Sequence, residues 1–133
     1  MSTPPLKRIL SVEDEADIRE ILRLALESVG GFRVAMCSSG AEALQTAARF
    51  RPDLVLLDVR LPDMDGPLIL KALRRLPETA DTPVIFLTAK LGARDLERYR
   101  NLGALDIVTK PFDPMQLPGE ILHVWRRHHG EPY

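Results

Sequence analysis

The run of apolar residues that ends at Asp58 constrains the fold more than any other segment. Residues 54–57 are all leucine or valine, and the turn-rich segment 59–67 follows the aspartate. A short apolar run bounded by turn signals predicts a β-strand that is buried on both faces. A carboxylate at the C-terminal end of such a strand lies where open α/β sheets bind their ligands. We therefore expect Asp58 to lie in a functional site.

Three further runs of mainly apolar residues also end in polar groups. They are 9–12, which precedes Glu13, Asp14 and Glu15; 84–87, which precedes Thr88; and 107–109, which precedes Lys110. An acid pair, a lone acid, a hydroxyl and a lysine thus follow four predicted strands in that order. Such an arrangement is typical of a site assembled at one edge of a parallel sheet.

Helical patterns alternate with the predicted strands along the whole chain. Five strands and five helices in alternation predict an α/β fold in which a doubly wound parallel sheet is covered on both faces. The expected strand order is 2-1-3-4-5, which makes strands one and three neighbours. We expect a flexible lead over residues 1–6, one domain over residues 7–128 and a C-terminal tail over residues 129–133.

Two of the helices carry specific expectations. The first is predicted to open at Asp14 or Glu15 and to end at Gly30-Gly31, because glycine tolerates the left-handed C-cap. Its broad apolar face comprises Ile18, Ile21, Leu22, Leu24, Ala25, Leu26 and Val29. The regular part of the fifth helix is predicted to begin at or just after Pro118, which lacks a backbone N–H.

The predicted strand order brings the polar strand ends together. Three carboxylates at one sheet edge repel one another unless a cation or a proton neutralises them. Oxygen ligands from Asp14 and Asp58, with Glu13 nearby, suit a hard ion such as Mg²⁺. Lys110 and Thr88 supply an ammonium and a hydroxyl for phosphate oxygens. Asp58 is therefore a candidate nucleophile for phosphoryl transfer.

Composition excludes several other classes of protein. The net charge of −1 gives no general attraction to nucleic acid or to an anionic membrane. No uninterrupted apolar run is long enough to predict a membrane span, and the N-terminus lacks a signal-peptide pattern. A single cysteine, Cys37, forms no internal disulfide. We expect a cytoplasmic protein that binds neither nucleic acid nor membrane directly.

The chain resembles the receiver domains of two-component response regulators, the CheY-like superfamily, over about residues 6–128. The segments that carry the resemblance are 9–15, 57–66, 86–89 and 109–112. The resemblance implies that Asp58 is the phosphoacceptor and that Glu13, Asp14, Asp58 and the backbone carbonyl of Arg60 hold Mg²⁺. It also implies that Thr88 and Lys110 contact the phosphoryl group. A cis peptide at Lys110-Pro111 is common in that family.

Two features of the sequence bear on how such a receiver would switch. The family usually carries tyrosine or phenylalanine three residues before the lysine, where this chain has Ile107. We therefore expect switching to rely on Thr88 and the loop after it rather than on a rotating aromatic ring. Arg60 and Lys90 each lie two residues after a site residue, and we expect them to modulate the lifetime of the phosphorylated state.

The implied partners are a histidine kinase or a phosphotransfer protein and a downstream protein target. A homodimer through the fourth helix, fifth strand and fifth helix is a further possibility. We expect a stand-alone regulator that catalyses only its own phosphorylation and dephosphorylation; the alternative is a receiver fragment of a larger response regulator or hybrid kinase. An aspartyl-phosphate phosphohydrolase is disfavoured, because Arg60 occupies the position of the general acid.

Overall fold

The structure, a computed structural model, describes residues 3–89 and 93–130. The strands are β1 (Arg8–Val12), β2 (Arg33–Cys37), β3 (Leu54–Asp58), β4 (Val84–Thr88) and β5 (Asp106–Thr109). The α-helices are α1 (Ala16–Arg23), α2 (Gly40–Phe50), α3 (Gly66–Arg75), α4 (Ala93–Asn101) and α5 (Leu117–His128). A π-helical segment, Leu24–Val29, continues α1, and a 3₁₀ turn, Pro77–Thr79, follows α3.

All five strands are parallel and lie in the order β2-β1-β3-β4-β5. This confirms the predicted fold class and strand order. Because β1 and β3 are neighbours, the acidic turn after β1 and Asp58 at the end of β3 lie at the same edge of the sheet. The ends of β4 and β5 lie farther along that edge.

Apolar residues of each central strand alternate between two cores, one on each face of the sheet. Val55 and Leu57 pack in the core that includes residues of α2 and α3, among them Leu73. Leu54 and Leu56 pack in the core that includes residues of α1 and α5. All five residues of β3 are buried, as expected of a parallel strand with helices on both sides. The strand therefore holds Asp58 on a rigid support.

The first helix differs from the sequence expectation on its apolar face. Ile21, Leu24 and Val29 are between 42% and 50% exposed, whereas Leu22 and Leu26 are fully buried. The π-helical segment accounts for part of the difference, because its wider turn alters the angular spacing on which the predicted face depends. The predicted end at Gly30-Gly31 is confirmed, and Gly31 adopts a left-handed φ of 72°.

The fifth helix begins at Leu117, one residue before the predicted start at Pro118. Pro118 is tolerated there because the first residues of a helix have no intrahelical partner for their N–H groups. A hydrogen-bonded turn precedes the helix, in which the carbonyl of Asp113 accepts from the N–H of Gln116 and Leu117. Met115 in this turn is 70% exposed.

Residues before β1 contact α5. The indole Nε1–H of Trp125 donates to the carbonyl of Pro4 at 2.8 Å, and Leu6 is buried in the same core as Trp125. Trp125, four residues after Ile121, thus lies with it on the buried face of α5. The domain limits at residues 7 and 128 stay a prediction. No helix in the described ranges has the length and apolar character needed to cross a bilayer.

Candidate functional site

Asp58 ends β3 with its side chain almost fully buried. One carboxylate oxygen, Oδ1, accepts the backbone N–H of Arg60 at 3.0 Å. The other, Oδ2, accepts the ammonium of Lys110 at 3.0 Å. Each oxygen thus has one donor, and a carboxylate oxygen has capacity for more than one. Asp58 is therefore oriented by its surroundings and remains able to bind a further group.

Two more carboxylates lie beside Asp58. Glu13, Asp14 and Asp58 each offer an oxygen, and these oxygens lie within 4.8 Å of one another. Glu13 is fully buried, whereas Asp14 is exposed to solvent. Oε2 of Glu13 accepts the backbone N–H of Glu15 at 3.2 Å. The prediction that the acidic turn and Asp58 come together is confirmed.

Lys110 supplies the positive charge within this cluster. Its Nζ lies 2.7 Å from Oε1 of Glu13 and 3.0 Å from Oδ2 of Asp58. Burial opposes the charge on Lys110, but the two carboxylates outweigh that effect and raise the pKa of the ammonium. Burial raises the pKa of Glu13 to about 7, although Lys110 and the N–H of Glu15 counteract it. The cluster is therefore an acidic site that is only partly neutralised.

The donor set fits a hard divalent cation. Oε1 of Glu13 is buried and accepts no hydrogen bond, since its contact with Lys110 is an ion pair without hydrogen-bond geometry. Lys110 is shared between Glu13 and Asp58, so one ammonium faces the charge of two carboxylates and a further cation can bind. Three carboxylates that offer only oxygen are the ligands that Mg²⁺ and Ca²⁺ prefer. The acidic cluster can thus hold a metal ion.

Thr88 and Lys110 end neighbouring strands. The backbone carbonyl of Thr88 accepts the N–H of Lys110 at 2.6 Å, and Thr88 is buried. The Lys110-Pro111 peptide is cis, as the resemblance to receivers implies. The end of β5 is therefore tied to the end of β4, which directs Lys110 back towards Asp58.

The remaining candidate residues occupy different environments. The side chain of Arg60 is exposed, while its backbone N–H bonds Asp58. Lys90 lies outside the described residues. Ile107 is half-buried on β5 opposite Phe86 of β4. Tyr99 of α4 supplies an aromatic ring near Ile107: it packs edge-on against Phe86, with 5.1 Å between the ring centroids.

Sequence reasoning missed two residues that hold the loops of the site. The carboxylate of Asp63 accepts the N–H groups of Gly40 and Ala41 at the start of α2, at 2.9 and 3.0 Å. The guanidinium of Arg19 donates to backbone carbonyls of the acidic turn. Asp63 gave no local signal because its partners lie 22 and 23 positions earlier. Arg19 was detectable only as a cation in the second turn after the acid pair.

Residues 9–122 match the model of the response regulator receiver domain. The chain belongs to this family. Receivers of this kind act as phosphoryl-accepting signalling modules. In this receiver the acidic cluster, which includes Asp58, and Lys110 lie together at one edge of the sheet.

Named relatives support the assignment. The receiver is 40% identical over 121 residues to a probable transcriptional regulator, ycf27, of Guillardia theta, covering 91% of this chain and 46% of that protein. It is 37% identical over 126 residues to the DNA-binding response regulator MtrA of Mycobacterium tuberculosis, covering 95% of this chain and 54% of that protein. This receiver therefore spans about half the length of the curated relatives it matches.

Solved structures show the same fold. The chemotaxis response regulator CheY4 of Vibrio cholerae superposes with a TM-score of 0.82 at 29% identity, over 90% of this chain and 99% of that one. A putative response regulator from Chloroflexus aurantiacus superposes with a TM-score of 0.81 at 32% identity, over 92% and 100% of the two chains. This receiver therefore shares its doubly wound arrangement with these two solved structures.

Proposed function

We propose that Asp58 is the residue of this receiver that accepts the phosphoryl group, from a phosphohistidine on a histidine kinase or a phosphotransfer protein. The observation that carries the proposal is the position of its carboxylate. One oxygen contacts Lys110 at 3.0 Å, and the acid pair Glu13 and Asp14 lies within 4.8 Å. Asp58 is the last residue of β3, the middle strand of the sheet, whereas Glu13 and Asp14 lie in the turn after β1.

The proposed transfer is a displacement at phosphorus. A carboxylate oxygen of Asp58 forms the new O–P bond while the P–N bond to the donor imidazole breaks, and the electron pair of that bond stays on the imidazole nitrogen. Lys110 is positioned by its contacts to receive a phosphoryl oxygen, and we assign the hydroxyl of Thr88 to another. The product is an acyl phosphate on Asp58.

We infer that Mg²⁺ is the resident cation, held by Glu13, Asp14, Asp58 and the backbone carbonyl of Arg60. Bound Mg²⁺ supplies charge neutralisation for the phosphoryl oxygens. The cluster holds more carboxylates than ammonium groups, and this excess of negative charge and the all-oxygen donor set support this assignment. A cation held by Glu13 would compete with the ammonium of Lys110 for that carboxylate, and this would favour contact of Lys110 with the phosphoryl group.

A groove beside the site supports a protein as the phosphoryl donor. Side chains of α1 and of the segment after β5 line a cavity of about 470 Å³ that is mainly apolar. They are Ile18, Ile21, Lys110, Pro111, Phe112 and Pro114. The exposed Ile21 makes this an apolar surface next to Asp58, where a helix bearing the phosphohistidine would dock. The downstream target, and a homodimer through α4, β5 and α5, stay predictions.

We propose that Arg60 and Lys90 lengthen the lifetime of the acyl phosphate on Asp58. The exposed guanidinium of Arg60 is free to approach phosphate oxygens and to hinder an attacking water. Loss of phosphate from Asp58 is expected to be several-fold faster in Arg60→Ala/Lys90→Ala. A double variant that keeps its phosphate as long as the wild type would refute this role.

The test of the proposed function is labelling by acetyl phosphate or phosphoramidate, measured by intact mass. One phosphoryl group per chain is expected in wild type with Mg²⁺, and none in Asp58→Asn or in excess EDTA. Asp81→Asn is a matched control, because Asp81 is an exposed aspartate in the turn before β4, at the opposite edge of the sheet. Equal labelling of Asp58→Asn and wild type would contradict the proposal.

A further inference from the structure

Arg19 satisfies the backbone of the acidic turn from the first helix. Its Nη1 donates to the carbonyl oxygen of Glu13 at 3.0 Å and to that of Asp14 at 3.2 Å. The backbone N–H of the same residue donates to the carbonyl of Glu15 at 2.8 Å. One residue of α1 therefore holds the three consecutive carbonyls that connect β1 to the helix.

These contacts restrict the directions of the carboxylates. A peptide unit is planar, so a fixed carbonyl oxygen also fixes the orientation of the next N–H and the path of the chain. The other side of the turn is fixed as well, since the N–H of Glu13 donates to the carbonyl of Cys37 at 2.9 Å. Because the backbone carbonyls point towards Arg19, the side chains of Glu13 and Asp14 extend towards Asp58.

We propose that Arg19 is a positioning residue for the metal site of this receiver, acting through the backbone of Glu13 and Asp14. The inference rests on the proposed function, because it concerns the divalent cation that those carboxylates hold. Arg19 has no contact with the carboxylates themselves among its hydrogen bonds in the described residues. Its effect on the cation is therefore indirect.

The positive charge of Arg19 and a positioning role for Arg19 have opposite effects on Mg²⁺ affinity. A guanidinium close to a cation site repels the cation, so a neutral residue at position 19 would bind Mg²⁺ more tightly if charge were its only contribution. A positioning role predicts weaker binding, because the acidic turn loses the donors that set its shape. The direction of the change in Kd thus separates the two explanations.

The same helix offers a matched control, Arg23. Arg23 lies one turn farther along α1 and pairs with Glu20 and Glu27, away from the acidic turn. Arg23→Met removes one positive charge from the same helix, as Arg19→Met does, and leaves the turn intact. Methionine retains an unbranched stem and a high helix propensity at both positions.

The experiment measures the Kd for Mg²⁺ by isothermal titration and the urea unfolding of each variant in EDTA. Arg19→Met is expected to raise the Kd by about tenfold or more, as loss of an outer-shell partner typically does. Arg23→Met is expected to leave the Kd unchanged or slightly lower. Arg19→Lys, which keeps one nitrogen with several donors, is expected to recover part of the affinity.

Phosphorylation provides a second readout. Acetyl phosphate labelling of Arg19→Met is expected to need more Mg²⁺ than wild type and to reach the wild-type extent at saturation. An unchanged or lower Kd in Arg19→Met would overturn the inference while leaving the proposed function intact. Failure of the wild type to bind Mg²⁺ would instead reject the proposed function. If Arg19→Met folds poorly in EDTA, Arg19→Gln carries the same test.

Discussion

Glu13 and Lys110 form an ion pair of 2.7 Å between two strands that do not touch. Glu13 follows β1 and Lys110 follows β5, and β3 and β4 lie between them in the sheet. The long side chain of Lys110 crosses the strand ends and reaches Glu13 past Asp58. One lysine thus balances two carboxylates at once. Through Lys110, a change in the charge of Asp58 also alters the surroundings of Glu13.

Removal of this lysine is expected to have two opposite effects. Lys110→Met should be less stable than wild type by about 3 kcal/mol at pH 8 in EDTA, because a buried carboxylate loses its counter-charge. The same variant should bind Mg²⁺ more tightly, since the cation no longer competes with an ammonium for Glu13 and Asp58. Urea unfolding and titration calorimetry measure the two effects. Weaker Mg²⁺ binding in Lys110→Met would contradict this account of the site.

Asp63 is expected to make stability depend on pH in the acid range. Its hydrogen bonds from the N–H groups of Gly40 and Ala41 hold the pKa of the carboxyl below its usual value. A lowered pKa in the folded state means that the stabilisation is present above the unfolded pKa, about 3.9 for aspartate, and is lost as the pH falls through the folded value.

Asp63→Asn tests this pH dependence, because the amide keeps the shape of the side chain but carries no charge. The unfolding midpoint of the variant should lie below that of wild type at pH 7. The two midpoints should converge as the pH falls below about 4, where the unfolded aspartate becomes protonated. A difference that stays constant between pH 7 and pH 3 would show that the charge on Asp63 contributes nothing.

Gly66 is predicted to tolerate no side chain. A Cβ atom there would lie 3.0 Å from the Cα of Val59 and 3.5 Å from the carbonyl oxygen of Asp58. Gly66→Ala should therefore destabilise the protein by about 1–3 kcal/mol, the usual effect of overpacking, and should slow labelling of Asp58.

Gly119→Ala is the matched control for that substitution. Gly119 lies in α5, and a Cβ atom there would meet nothing within 4 Å. This variant should gain about 0.5–1 kcal/mol of stability, since alanine loses less backbone entropy in a helix. Urea unfolding of both variants measures the contrast, and equal stabilities would exclude a steric role for Gly66.

Thr88 is expected to report the phosphoryl group in place of an aromatic switch. Ile107 has no ring to rotate, and it lies half-buried opposite Phe86. In a crystal structure with beryllofluoride, which stands in for the phosphoryl group, the hydroxyl of Thr88 should move towards Asp58 while Ile107 keeps its rotamer. An unmoved Thr88 with a large displacement of Ile107 would contradict the prediction.

Local sequence patterns were sufficient for the architecture of the sheet. The apolar run before Asp58 was predicted as a doubly buried strand, and all five residues of β3 are buried. The strand order followed from the alternation of strands and helices, which leaves few ways to cover both faces of a parallel sheet. The meeting of the acidic turn, Asp58 and Lys110 followed in turn from that order.

Patterns within single helices were less reliable. The apolar spacing of the first helix placed Ile21 and Leu24 on its buried face, but both are exposed. Periodicity assumes a constant 3.6 residues per turn, and the π-helical segment that begins at Leu24 departs from it, whereas Ile21 lies in the regular part of the helix and lines the apolar groove. The start predicted from Pro118 was one residue late, because a proline in the first turn of α5 requires no N–H and the helix begins at Leu117.

The sequence by itself determined which chemical groups meet at the sheet edge, because each polar residue lies at the C-terminal end of a strand or just after it. Only the tertiary structure decided how those groups are held. The contacts of Arg19 with the turn after β1, and of Asp63 with the start of α2, leave no local pattern in the chain. They are hydrogen bonds between charged side chains and backbone groups, and any residue can supply a backbone partner. Such partners are identified by position in space alone.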